Sequence, residues 1–240
     1  GNANGDVLAV KDVNYTRSVG EKLTVQFGDS LDLSSQFTGA CSYSGFTDTL
    51  ADCGTGNSAG AGGDVSLSTS YDIGNGFTFG AGLSGSEGST TDGIFTKESN
   101  DLYGLQLAYA ADNYGAAVSY SESDTPTTDT TYWGLNAYYS FDNAFLDSIS
   151  LGMEFADPSA GNDAQSFFVG LTTAEVGPGT ISLGLGTASD VPSKTALIVE
   201  DATDTYLYEA SYNWSVNDAT SLSLGGFIQE RTTANGDDLS

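Results

Sequence analysis

From Asp64 onward, hydrophobic side chains recur at every second position in segments of about ten residues, the signature of half-buried β-strands. Val65, Leu67, Thr69 and Tyr71 share one face of the first segment, and Phe77, Phe79, Ala81 and Leu83 share one face of the second. The same alternation returns over 103–109, 114–120, 133–141, 149–155, 167–171, 181–185, 206–214 and 222–228. The intervening positions are small or polar: Gly104, Gln106 and Ala108; Gly134, Asn136 and Tyr138; Ser150, Gly152 and Glu154; Glu209, Ser211 and Asn213; Gly225 and Gln229. Such side chains cannot make a dry core, so the sheet has one apolar face and one wet face.

The links between segments fall into two classes. Short ones lie near 73–76, 112–113, 142–147, 175–179 and 215–219, and long polar ones near 84–100, 121–130, 156–164 and 187–203. Their alternation describes an up-and-down meander with unlike ends, as in outer-membrane barrels with short periplasmic turns and long outer loops. A soluble Greek-key sandwich has less reason to sort its loops this way. Tyr103 with Tyr109, Trp133 with Phe141, and Tyr206 with Trp214 bracket apolar strips and are candidate lipid-facing girdle residues. Eight residues at ~3.4 Å make about 27 Å along a strand. At a tilt of roughly 40° this covers about 21 Å of the membrane normal, against an apolar band of about 25 Å. Alternation does not say which face points inward, so the competing reading is a soluble or surface-assembled acidic β protein (an adhesin, sheath or surface-layer subunit) that buries the same aromatics.

Before Asp64 the pattern weakens. Val7, Ala9, Val13 and Tyr15 fit one strand, and Leu23, Val25, Phe27, Leu31 and Leu33 fit either one long strand or a tight hairpin at Gly28–Ser30. Residues 39–63 read as loop, ending in a Gly/Ala/Asn/Ser stretch. No linker divides the chain, so 1–240 reads as a single domain: less certain strands and a stapled loop over 1–63, a regular meander over 64–231 and a tail over 232–240.

Composition narrows the chemistry. In 240 residues, 6 Lys+Arg face 32 Asp+Glu, there is no histidine, and the net charge is −26. Nucleic-acid binding, which needs basic residues against phosphates, is excluded. Thirty-one glycines and 25 Tyr+Phe (13 and 12) argue against both a helical fold and disorder. No run of 18 apolar residues exists, which excludes membrane-spanning helices but not membrane-spanning strands. Cys41 and Cys53, the whole thiol inventory, either pair across a short loop or remain free; pairing implies an oxidising compartment.

Two strings imitate catalytic motifs. Residues 56–60 match G-x-S-x-G, but no histidine exists to take the proton. Residues 80–85 match G-x-G-x-x-G, but no helix follows to receive a phosphate, and glycine-rich strand is the better account. What remains are polar-face residues that a pore would present to its lumen: Gln106, Asn136, Glu154, Glu209, Asn213 and Gln229. Glu87, Asp92, Glu122, Asp124, Asp129, Asp157, Asp163, Asp190, Glu200, Asp201 and Asp204 cluster in the long links. They read as solvated loop charge able to attract divalent cations weakly, without the spacing of a calcium loop. No cofactor or catalytic residue is expected.

Several stretches resemble a known family, the outer-membrane porins of cyanobacteria, related to carbohydrate-selective porins. They are 107–115 (LAYAADNYG), 132–139 (YWGLNAYY), 176–179 (VGPG), 206–210 (YLYEA) and 216–218 (VND), with 35–39 (SQFTG) near the start. The resemblance covers most of 64–231. It implies a passive channel for small hydrophilic solutes or ions, sugars among them, in the bacterial outer membrane, with membrane lipid as partner and a homo-oligomer, a trimer, as its assembly. Family members usually carry an N-terminal surface-layer-homology domain and a longer middle portion with basic constriction residues. Neither is present, nor is a closing strand ending in an aromatic, so the chain reads as a fragment or a divergent short relative. The expectation is therefore an all-β, antiparallel up-and-down transmembrane β-barrel with about 12 strands visible, up to about 16 in the family. With 6 Lys+Arg against 32 Asp+Glu, it is expected to act as a cation-preferring porin.

Overall fold

The computed structural model describes residues 12–47, 53, 63–86, 95–161, 163–187, 206–218, 220–229, 231–232 and 238–239. Alternating side chains produce twelve consecutive antiparallel strands in one sheet, each paired with its sequence neighbours. They are β1 (Val13–Val19), β2 (Leu23–Asp29), β3 (Val65–Gly74), β4 (Phe77–Ser86), β5 (Asn100–Ala110), β6 (Tyr114–Asp124), β7 (Thr130–Ser140), β8 (Leu146–Pro158), β9 (Ala164–Thr173), β10 (Gly179–Thr187), β11 (Tyr206–Asn217) and β12 (Thr220–Gln229). β13 (Arg231–Thr232) and β14 (Asp238–Leu239) form a separate ladder within the stretch read as a tail. β1 and β12 are not paired with each other.

The register keeps every apolar row on one face. Tyr103, Glu122 and Thr131 lie side by side, as do Leu107, Val118, Leu135 and Met153, and the next row begins Tyr109, Ala116, Ala137 and Leu151. A slip of one residue anywhere would turn a strand inside out. The turn between β3 and β4 helps to fix the register. Asn75 and Gly76 both have positive φ (55° and 84°), the geometry of a two-residue hairpin that matches strand twist.

The connections 20–22, 75–76, 111–113, 141–145, 174–178 and 218–219, none longer than five residues, lie at one end of the meander. The opposite end carries 30–64, 87–99, 125–129, 159–163 and 188–205. Two links expected to be long are only five residues each, because β6 and β8 run further than their hydrophobic pattern. Glu122 and Asp124 extend β6 against Tyr103 and Asp101, and Asp157 extends β8 against Thr131. These three carboxylates are strand residues, not loop residues. Glu87, Asp92, Asp190, Glu200, Asp201 and Asp204 lie outside the described residues, as do Val7 and Ala9.

Burial is inverted relative to a soluble protein. Leu105, Leu107, Leu135, Leu151, Met153 and Leu183 are exposed, whereas Ser68, Ser150, Ser182 and Glu154 on the other face are fully buried. Aromatics gather at both ends of the apolar band. Tyr103, Tyr120, Trp133, Phe155, Phe167 and Tyr206 lie toward the long links, and Phe77, Tyr109, Tyr114, Tyr139, Phe141 and Trp214 toward the short turns. Tyr103 and Trp133 are exposed; Tyr109, Phe141, Tyr206 and Trp214 are half-buried against neighbouring rings, Tyr109 at 4.7 Å from Phe77 and Phe141 at 4.9 Å from Tyr139. The arrangement is an exposed apolar band between two aromatic rows. Replacing Leu135 with Arg in mid-band should destabilise the folded protein by about 2–4 kcal/mol, read from denaturant titration in lipid bilayers.

Candidate functional site: the inner face and the segment that crosses it

After β2 the chain neither continues as strand nor closes a hairpin with Leu31 and Leu33, the two outcomes expected from the sequence. Ser30 takes a left-handed conformation (φ 59°), and residues 31–47 turn onto the polar face of the sheet. Leu33 is fully buried there against Leu102 and Phe37. The stretch 35–39, one of those that carry the family resemblance, belongs to this segment.

The segment lies along the inner face as a belt, and the contacts can be followed strand by strand. Ser35 Oγ and Gln36 Nε2 donate to Gln26 Oε1 on β2, at 2.8 and 2.6 Å. The Gln36 amide donates to Ser68 on β3 (3.0 Å), and Thr78 on β4 donates to Thr38 (2.9 Å). Ala40 packs with Ala108, Ala117 and Tyr138 from β5, β6 and β7. The Ser42 amide donates to Ser150 Oγ on β8 (3.0 Å), and the two hydroxyls share a second bond of 2.9 Å. Tyr43 stacks on Phe168 of β9, with ring centroids 4.9 Å apart. Phe46 reaches Gly225 on β12.

This series of contacts fixes the curvature. In a flat sheet β3 and β12 would be nine spacings of ~4.8 Å apart, about 43 Å. The ten steps from Gln36 to Phe46 reach at most about 35 Å fully extended. One segment can touch both only because the sheet curls around it, so the polar face is an interior and the belt narrows it.

The glycines that resembled a phosphate loop have a steric role here. A Cβ on Gly82 would overlap the Leu33 carbonyl oxygen, and one on Gly80 would come within 2.6 Å of the Phe37 ring. Gly170 and Gly184 make the same room for Tyr43.

The expected lumen residues separate into two groups. Gln106, Asn136, Glu154 and Glu209 all face the interior and are buried, whereas Asn213 and Gln229, close to the open edge, are half-buried. Asn213 donates to Ser182 (3.3 Å) and Ser211 (3.1 Å) and accepts from Ser223. Glu209 is engaged by the belt. Its carboxylate accepts from Tyr43 Oη (2.7 Å), the Phe46 amide (2.9 Å), the Thr47 amide (2.8 Å) and Thr47 Oγ1 (2.5 Å). Burial, and then the bond to Glu209 and its charge, hold the Tyr43 phenol well above its usual range, so it remains a donor at neutral pH. Sequence periodicity placed Glu209 on the right face but held no signal for these partners, which lie more than 160 residues away.

Cys41 and Cys53 form a disulfide. Cys53, Tyr43, Phe168 and Leu207 make a small apolar cluster against which Cys41 packs, so the staple sits beside the Glu209 contacts. The G-x-S-x-G string at 56–60 lies outside the described residues. Among the described residues no group of three or more His, Cys, Asp or Glu could hold a metal ion.

An apolar exterior, a polar interior, sorted links and an inward-folded segment are the parts of a diffusion channel. A model of the Gram-negative porin family matches residues 12–234. The chain belongs to that family. Among solved structures it is similar to mutants of the porin of Rh. blastica. One shares 16% identity, with 94% of this chain and 75% of that one covered and a TM-score of 0.56; a second shares 15%, with the same coverage and a TM-score of 0.55. At that identity the likeness is one of fold. No curated protein sequence matches the chain. The porin is thus an outer-membrane channel of bacteria and not an enzyme.

Two outcomes test the seating of the belt. Gly82→Ala should destabilise the porin by about 1–3 kcal/mol, because the Leu33 backbone must move, as measured by denaturant titration. Opening the Cys41–Cys53 bridge should cost roughly 3 kcal/mol for a loop this short, measured by comparing oxidised and reduced protein.

Proposed function

We propose that this porin is a cation-preferring pore for small hydrophilic solutes and inorganic ions. The observation that carries the reading is the charge on its inner surface. Among the described residues, that surface holds the carboxylates of Asp72 and Glu154, and that of Glu209 beneath the belt, and no Lys or Arg. Three described cations lie elsewhere. Arg17 shares the outer row with Tyr15 and Val25, Lys22 is in the turn after β1, and Lys97 precedes β5. Fixed negative charge in a narrow, low-dielectric passage raises the local concentration of cations and repels anions, and salt weakens the effect.

Glu154 is the group best placed to set the preference. It is fully buried on β8 between Gly134 and Ser166, on the inner wall level with Trp133 and Phe155 toward the long links. Serine hydroxyls and the amides of Gln106 and Asn136 share the wall with it, groups suited to hydrated ions and polyols. Assembly as a trimer in outer-membrane lipid belongs to the same proposal. Ala116 and Ala137 floor an apolar groove on the outer face, where small side chains let copies approach.

Reversal potentials across a planar bilayer under a KCl gradient test the preference. The wild type should favour K⁺ at low salt, with the preference fading toward 1 M as the Debye length falls to about 3 Å. Glu154→Gln should reduce it. Anion preference at low salt would overturn the proposal.

A further inference from the structure

The belt is fastened to the wall unevenly. From Ser35 to Ser42 each anchor is one or two neutral hydrogen bonds to a hydroxyl or an amide. At the far end, three residues, Tyr43, Phe46 and Thr47, deliver four hydrogen bonds to one carboxylate, that of Glu209, which is 5% exposed. Bonds to an ionised acceptor are about twice as strong as neutral ones. Two of the four come from backbone amides, so the carboxylate fixes the path of the chain and not only the placing of side chains. The neighbouring wall is hollowed to fit. Gly184 lies beside both the Tyr43 hydroxyl and the Glu209 side chain, and Gly170 and Gly225 clear the Tyr43 and Phe46 rings.

We infer that Glu209 is a positioning residue, a clamp that holds residues 43–47 against β11 and thereby sets the width of the pore, and that it is not a selectivity charge. A carboxylate that accepts four donors is already screened by them, so it contributes little field to a passing ion. Its removal instead leaves two backbone amides and two hydroxyls without an acceptor. Buried donors in that state are costly, which favours swinging the segment out to water. The disulfide closes a loop from Cys41 to Cys53 around the clamped residues, so the movement is confined to the stretch between the two cysteines. The inference rests on the channel function and not on the ion preference; conductance tests the one and permeability ratio the other.

Two variants in planar bilayers separate a clamp from a charge. Glu209→Gln removes the charge and presents an amide donor to donors. The double variant Tyr43→Phe, Thr47→Val keeps the carboxylate, leaves the barrel wall intact and deletes two of the four bonds. Heat-modifiable migration on gels reports that each is folded. The expected result is a larger single-channel conductance than wild type in both, with cation preference retained because Glu154 is unchanged. Wild-type conductance in both variants would overturn the clamp. So would a change confined to the permeability ratio of Glu209→Gln, which would make Glu209 a lumen charge instead.

Discussion

A strand that crosses lipid has to satisfy every backbone amide and carbonyl through its neighbours, because no water is present to do so. This constraint accounts for the uninterrupted ladder of twelve strands, each paired only with its sequence neighbours. It also explains the distribution of side chains. With the backbone spent on the ladder, the two faces of the sheet are free to differ, and alternation assigns apolar residues to the hydrocarbon and polar ones to the interior. Leu135 and Asn136 are adjacent in sequence and lie in opposite solvents. The aromatics fall at the two heights where lipid meets water, and the links sort by length because one end of the barrel needs only to turn the chain.

The interior answers to a second requirement. A wall rich in serine, glycine and amide side chains offers apolar area only in small patches, so what lies against it is held largely by hydrogen bonds and close approach. Residues 31–47 meet both conditions. Their amides and hydroxyls find serine partners along the wall, and their bulky groups, Leu33, Phe37, Tyr43 and Phe46, settle where glycines leave room. The largest concentration of bonds is at Glu209, and the covalent staple lies next to it.

The outer architecture was legible in the sequence because it depends on a local period. Rows such as Tyr103, Leu105 and Leu107 can be read without knowing their partners, and β3 to β12 correspond to the segments they announced. Strand ends were less legible: Glu122, Asp124 and Asp157 are too polar to extend a hydrophobic pattern, yet the ladder carries them. The belt was not legible at all. Its positions follow contacts between residues far apart in the chain, and Leu31 and Leu33, two apolar positions at a spacing of two, resemble strand although they serve an irregular segment. Glu209 was placed on its face by periodicity, while its role depends on Tyr43, Phe46 and Thr47, which no pattern connects to it.

The glycines of the inner wall have a consequence for how this sequence can drift. On the outer face the membrane asks only for apolarity, so Leu, Val, Ile and Met are exchangeable over many positions and relatives can lose identity quickly. On the inner face Gly80, Gly82, Gly170 and Gly184 admit no side chain while the belt is in place. The usual expectation for a soluble protein, a constrained apolar core and a permissive polar surface, is therefore reversed. Change is tolerated on the greasy side, and the polar interior records the path of the segment it encloses.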